Sequence, residues 1–412
     1  MTNGLTRTQI SALIALMTAL LFFNYIDRGN LATVGPLLID GLKLTNTQFG
    51  VLLGAFFWTY APAQLLQGWL SQRVDLYKLL TLGVLLWSLV TATTVLAGGF
   101  ATLLGLRLIL GLGESVVFPV SSVLFAELVP EARRGAANGW MNTGLWIGPM
   151  VGTFAGAAIA ARHGWQATFL IFGAVSLLWL WPWLRFARQA PHVAPAERGR
   201  PPPYRELLSH RAAWGTFLGH FSNNYSFYFL IGWLPTYLVK VRGLSLEAMG
   251  LVGGLVFYSI CALACVAAGW YSDRRIAAGA SVTFQRKLYV VGGQLGTGAC
   301  MLAVAALPEF AVPVLLVSAA FFGMSSGGVF GIGQTLGGPR AAGQWIGVQN
   351  FIGNLAGVVA LPLTGMLVDH FGSYGWAFGV AGGITFLGAA SWGLMVGKIE
   401  PIAWRAAPSA SR

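Results

Sequence analysis

Four ionisable residues stand where the chain is otherwise nearly free of charge. Asp27 and Arg28 are adjacent in FFNYIDRGN, residues 22–30, between the apolar runs SALIALMTALL and LATVGPLLI. Arg107 and Glu114 lie seven residues apart in RLILGLGES. On a helix that spacing is close to two turns, so the two share one face, about 10 Å apart along the axis. A charge at the centre of a bilayer costs several kcal/mol, and such groups turn toward a bundle interior or a wet cavity. Two acids and two arginines sum to zero when all are ionised, which makes the set tolerable where any single member would be expensive. Protonating Asp27 or Glu114 would leave an arginine without its partner and favour capture of a carboxylate. Arginine keeps its proton throughout, so the acids are the candidate proton carriers. A buried ion-pair network that only locks helices together is the competing explanation. Apolar residues would usually stabilise such a contact as well or better, which weighs against it.

These residues matter only if the surrounding elements lie in a membrane, and composition places them there. The 412 residues are 56% hydrophobic and 9% charged, against about 25% charged in a soluble domain. Mean hydropathy is +0.68. Apolar runs of about 20 residues, each long enough to cross a bilayer, recur at roughly 11–39, 47–70, 78–98, 101–126, 136–160, 165–186, 212–239, 247–270, 287–306, 310–333, 342–367 and 374–397. The chain is therefore expected to be an all-α membrane protein with twelve transmembrane helices. The first run is too long for a cleaved signal peptide and is expected to be retained. The polar, proline- and arginine-rich stretch 187–211 divides the runs six and six. The expected domains are a six-helix bundle over 1–186, a linker over 187–211 and a second six-helix bundle over 212–412.

The net charge of +12 is distributed for membrane topology and not for nucleic acid. A nucleic-acid reader needs a continuous basic face, whereas these basic residues sit in short loops between apolar runs. Of the 25 lysines and arginines, Arg28 and Arg107 lie within spans, and Lys43, Arg162, Lys240 and Arg242 fall on one side. The rest fall on the side of the termini and linker, which the positive-inside rule places in the cytoplasm. Cys261, Cys265 and Cys300 all lie in apolar runs, without metal spacing or a disulfide framework, and no cofactor is expected. No HExxH and no serine–histidine constellation is present, so an enzyme is not expected.

The two halves read as copies. GWLSQR at 68–73 returns as GWYSDR at 269–274, and Asn24-Tyr25 returns as Asn224-Tyr225. Pro130, Gly144, Gly148 and Gly156 are matched by Pro339, Gly353, Gly357 and Gly365, all at nearly the same offset. Parallel six-helix halves are a transporter plan with its site at the midplane between them. GWLSQR and GWYSDR resemble the GxLxDR-type loop signature of the major facilitator superfamily, the first copy departing from it with Gln72 in the acidic place. RLILGLGES resembles the fourth-helix RxxxGxxE motif. With NYIDR in the first span, the chain is similar to the anion:cation symporter family, which includes bacterial galactonate, glucarate and hexuronate transporters.

That resemblance, which covers almost the whole chain, implies the major facilitator fold and proton-coupled symport of an organic anion, most simply a sugar acid such as an aldonate, uronate or aldarate. Another carboxylate, monocarboxylic or aromatic, and a drug:proton antiport are the alternatives. Arg28 beside Asp27 argues against the last, because a cation exporter is expected to use unpaired acids. The family implies a bacterial inner-membrane protein with cytoplasmic termini, and a monomer is expected. It also implies that Asp27 and Glu114 carry the proton, that Arg107 tunes them, and that Arg28 holds the substrate carboxylate, a role suited to the guanidinium fork.

Neutral polar residues at membrane depth form a second group. Tyr25 shares a helical face with Arg28, and Tyr60 breaks the run FFWTYAPA. Asn142, Tyr225, Gln334, Asn350 and Asn354 supply amides and a hydroxyl in later spans. Singly, each is as well explained by helix–helix hydrogen bonding; together around an arginine they fit a polyol carboxylate. Gly148, Gly152 and Gly156 recur every four residues and are expected at a close helix contact. The glycine-rich stretch 323–338 lacks the lysine of a phosphate loop and is expected to let the tenth span bend. Arg73, Asp75, Asp273 and Arg274, in the paired loops, are the candidate gating residues.

Overall fold

The computed structural model describes residues 5–71, 73–191 and 203–404. Gln72, residues 192–202 of the linker, and Arg405 and Arg412 of the basic tally lie outside the described residues, as do the side chains of Arg134 and Pro339. The described chain is helical, with no strand, because a backbone in hydrocarbon must bond within its own segment or close into a barrel. The first span runs Arg7–Thr33 and opens on a capping box, in which Thr6 and Gln9 exchange side-chain and backbone hydrogen bonds and so satisfy donors that the first turn leaves open.

Among the described residues, ten helical stretches are long and apolar enough to cross a membrane. One of them, Ala137–Gln189, breaks at Gly164, whose φ of +79° ends one helix and starts the next. The thirty-residue helix Arg211–Lys240 falls outside the ten because of its polar residues. Counting the break as two spans and adding this helix, all twelve expected spans are helical, and the protein is a multi-pass integral membrane protein. A second glycine break, Gly338 at φ +59°, separates the tenth span from the eleventh. Left-handed backbone of this kind suits glycine, which has no Cβ to clash. Within the tenth span, Ala311–Ser326 also ends before the helix resumes at Val329, so the glycine-rich stretch does interrupt the helix.

The chain forms two compact units. One comprises 1–196 with 230–259 and 361–369; the other comprises 197–229, 260–360 and 370–412. In the first unit, the end opposite the chain terminus carries polar contacts between its first six spans and the two later segments. The Asp369 carboxylate accepts from the backbone N–H and side chain of Asn46 (3.1 and 2.8 Å) and of Thr47 (2.7 and 2.6 Å). It thereby caps the helix Asn46–Leu70, where open N–H groups and the helix dipole favour an anion. Lys240 pairs with Asp40, and Arg162 with Glu247 at 3.9 Å. Asp369→Ala is expected to cost about 1 kcal/mol, the usual scale for losing a helix cap, measurable as a lowered thermal unfolding midpoint.

The fifth span seats directly on the first through its small residues. A Cβ built on Gly144 would meet the backbone of Phe22 at 2.7 Å, and one on Gly148 would meet the Tyr25 Cβ at 2.7 Å. Gly152 is similarly close to Ile26, whereas Gly156 has ordinary contacts with Phe172 and Thr168. The close approach expected from this spacing is therefore made, with its tightest part at Gly144 and Gly148. Gly148→Val is expected to push the first span off this seat. Overpacking of this kind costs about 1–3 kcal/mol, so the variant should lose monodisperse material on size-exclusion chromatography.

Candidate functional site

All four charged residues of the opening argument lie in the first unit, and three of them are almost wholly buried: Asp27, Arg107 and Glu114. Arg28 Nε donates to Glu114 Oε2 at 3.0 Å, an ion pair with side-chain exposures of 6% and 0%. The fourth-span acid thus pairs with the first-span arginine. The arginine on its own helix, Arg107, instead donates from Nε to the carbonyl of Leu52 in the second span, at 3.3 Å. Asp27 faces the other way round its helix. Its Oδ2 receives the hydroxyl of Ser176, in the sixth span, at 3.5 Å. A step of about 100° per residue separates neighbours on a helix, so adjacent Asp27 and Arg28 enter different environments.

Aromatic rings enclose the Arg28 guanidinium. Its central carbon lies 4.3 Å from the Tyr60 ring centroid, 4.8 Å from that of Tyr25 and 5.1 Å from that of Phe56. Ring faces attract a cation at these distances, more strongly when water is kept out. Tyr60 stacks on Phe56 one turn away, and its hydroxyl accepts from Gln64 Nε2 at 2.9 Å. Arg107 also reaches the Phe56 face, at 5.4 Å. Tyr25 and Arg28 are therefore brought together as their spacing implied, and Tyr60 joins them from the second span. Phe56 and Gln64 were not foreseen, although their spacing of four residues from Tyr60 on either side is legible. Ser176 left no such signal.

An open groove of about 530 Å³ runs along the first and fifth spans on the chain-terminus side of Tyr25. It is lined by Ser11, Thr18, Phe22, Trp140, Thr143 and Ile147 among others, and is mostly apolar. Asn142 lies at an exposed position on the same fifth span. Phe22 of its lining stands three residues, about one turn, before Tyr25 on the first span.

The second unit holds the other polar residues. Tyr228 donates to Asn354 Oδ1 at 2.7 Å, and Asn354 Nδ2 donates to the Asn350 carbonyl at 2.8 Å. Ser325 donates to Asn223 Oδ1 at 2.8 Å. His220 is buried with Nδ1 3.2 Å from the Gln349 carbonyl. Tyr225 is fully buried, while Gln334 is exposed. Asn350 and Asn354 thus share a face as their spacing requires, Asn354 already holding a tyrosine hydroxyl. Tyr228 and His220 are further buried polar residues of this unit, beyond those expected to contact substrate.

Among the candidate gating residues, Asp75 caps its own helix, accepting from the backbone N–H of Tyr77 and Lys78 at 2.8 and 3.1 Å. Asp273 pairs with Arg286 of the following helix at 3.9 Å. The Arg274 guanidinium lies 5.3 Å from the Trp270 ring. Arg73 is at an exposed position. The three cysteines are free, and among the described residues no cluster of histidine, cysteine and carboxylate side chains could hold a metal ion.

Comparison with known proteins agrees with this architecture. The hexuronate transporter of Bacillus subtilis is 28% identical over 382 residues, covering 88% of this chain and 89% of its own. A probable galactarate/D-glucarate transporter of the same organism is 27% identical over 413 residues, covering 92% and 90%. A crystal structure of a D-xylose-proton symporter superposes with a TM-score of 0.75 at 17% identity, over 96% of this chain and 99% of that one; it shares the fold. The family model described as Major Facilitator Superfamily matches residues 17–360, and the chain belongs to that superfamily.

Proposed function

We propose that the protein is a proton-coupled symporter that imports an organic anion by alternating access, with a sugar acid as its substrate. The observation that carries the reading is the Arg28–Glu114 pair, at 3.0 Å and almost free of water, under the rings of Tyr25, Phe56 and Tyr60. A guanidinium neutralised by a protonatable acid exchanges partners. When Glu114 takes a proton, its attraction for Arg28 falls, and a substrate carboxylate can accept the guanidinium fork in its place. Anion and proton then enter together, so the buried charge stays balanced. Asp27 is the second proton site, and Arg107, within reach of the Phe56 ring, tunes both acids. The B. subtilis relatives, named for hexuronate and for galactarate/D-glucarate, support the substrate class.

Tyr25 and Tyr60 flank the carboxylate, and Asn142, Tyr225, Gln334, Asn350 and Asn354 are proposed contacts of substrate hydroxyls. Arg73, Asp273 and Arg274 are proposed to act at the gate. The same reading makes 1–186 and 212–412 the two moving bundles of a monomer. Both termini and the linker 187–211 are cytoplasmic, in the inner membrane of a bacterium. A second reading, an aromatic carboxylate as substrate, draws on the three rings around Arg28, which offer stacking surface to a planar acid.

The test is uptake of labelled glucuronate, galactonate, glucarate and benzoate into proteoliposomes. An acid exterior should drive accumulation of a sugar acid, and a protonophore should abolish it. Accumulation indifferent to the proton gradient, or of organic cations only, would overturn the reading; benzoate in preference to the sugar acids would select the second. A thermal-shift screen over the same acids ranks affinities, because a ligand that binds the folded state raises its stability with concentration.

A further inference from the structure

A second, much smaller cavity lies against Asp27. It has a volume of about 10 Å³ and is closed on most sides, bounded by Asp27 and Leu31 of the first span, Thr91 and Thr94 of the third, Leu103, Leu106, Arg107 and Leu110 of the fourth, and Phe169 of the sixth. A polar cavity of this size seats a single water molecule when it offers two to four partners. Two buried oxygens at its wall, Asp27 Oδ1 and Thr91 Oγ1, have no hydrogen-bond partner among the described residues, at 2% and 3% exposure. A threonine in mid-helix usually bonds back to the carbonyl four residues earlier. Thr94 does so, to Val90 at 2.9 Å, whereas Thr91 does not.

We propose that this cavity is a water site bridging Asp27, Thr91 and Arg107, and that Thr91 is a positioning residue for the proton carried by Asp27. This rests on the symport reading. A hydroxyl both donates and accepts, so Thr91 serves either state of the acid. With Asp27 charged, the water donates to Oδ1 and accepts from Thr91 or Arg107. With Asp27 protonated, its O–H donates to the water, which turns a hydrogen toward Thr91 Oγ1. Arg107 of the fourth span is the charged group that lines the cavity with Asp27, and Arg28 is its neighbour on the first span. The third span brings the hydroxyls of Thr91 and Thr94 to the cavity, and the sixth brings that of Ser176 to Asp27 Oδ2. Thr94 is already bonded to Val90, so the loss of the Thr91 hydroxyl leaves the water with Asp27 and Arg107 alone.

Thr91→Val keeps the shape and removes the hydroxyl; Thr91→Ser restores it. Charged Asp27 loses support in the valine variant, so less acid is needed to protonate it. The pH of half-maximal proton-driven uptake in proteoliposomes should rise by about one unit, the scale of one hydrogen bond to a charged group, and return toward the parent value in Thr91→Ser. The second readout is the infrared difference spectrum of the protonated carboxyl on a pH jump, with Asp27→Asn identifying the band. In Thr91→Val the band should move to higher wavenumber as its hydrogen bond weakens. If the parent protein shows no proton-driven uptake but the band still moves, the symport reading falls and the water site stands. An unmoved band, or an unchanged pH midpoint in a protein that does couple to protons, overturns the site. If Thr91→Val yields no folded protein, the same two readouts on Thr91→Ala decide.

Discussion

Asp27→Asn and Glu114→Gln are each expected to abolish accumulation of substrate against its gradient while leaving exchange of labelled for unlabelled substrate measurable. Both substitutions keep the shape of the side chain and remove the charge and the titration. In Glu114→Gln the partner of Arg28 is permanently neutral, which mimics the protonated state, so the guanidinium is always available to a carboxylate. Binding then no longer requires a proton, and a proton gradient has nothing to act on. Measuring both modes in one set of proteoliposomes separates coupling from folding, because exchange requires an intact protein. Full proton-driven accumulation in both variants would sink the assignment of the proton sites. The two acids should also differ. Glu114 bonds Arg28 directly, so its variant should bind substrate with weaker pH dependence. Asp27 reaches Ser176 and not an arginine, so its variant should affect the coupled step more than binding.

Arg28→Gln is expected to be the most damaging single change. It removes the proposed carboxylate hook and leaves Glu114 buried without its cation. Breaking one partner of a buried ion pair costs about 3–5 kcal/mol, so thermal stability and transport should both fall. The double variant Arg28→Gln/Glu114→Gln tells the two losses apart. It removes the uncompensated charge and should recover much of the stability, the non-additivity expected of contacting residues. It should not recover transport, because neither amide offers the guanidinium fork. Arg28→Lys probes the fork itself: the charge remains, but the two parallel donors and the planar surface against Tyr25 and Tyr60 are lost. A lysine variant with parental uptake would show that charge alone suffices.

The twelve spans were legible because hydropathy is a local property of about twenty consecutive residues. Both departures have local causes as well. Gly164 lets one long stretch bend without a loop, and the polar side chains of Arg211–Lys240 lower its hydropathy although it spans thirty residues. The charged quartet was legible for the same reason, since a charge in such a run is conspicuous wherever it points. Two of the three rings of the aromatic enclosure could be foreseen, Tyr25 at i−3 of Arg28 and Tyr60 in the second span. Phe56 could not be singled out among 26 phenylalanines, because its role depends on which way the second span is rotated.

The amino-acid sequence by itself determined that this is a polytopic helical membrane protein built from two related halves, with two acids and two arginines at membrane depth in the first half only. Each of those conclusions follows from residue type, spacing or repetition along the chain. Only the tertiary structure decided the pairing. Spacing on the fourth span sets Arg107 and Glu114 on one face, yet Glu114 takes Arg28 from 86 residues away, and Arg107 takes a backbone carbonyl of the second span. It also decided that Asp27 turns toward Ser176 and the small cavity with Thr91. The reason is that a helix fixes neighbours along itself, whereas contacts across helices depend on their rotation and separation. Those were set by close seats such as Gly144 and Gly148 against Phe22 and Tyr25, which bring side chains from distant parts of the chain within bonding distance.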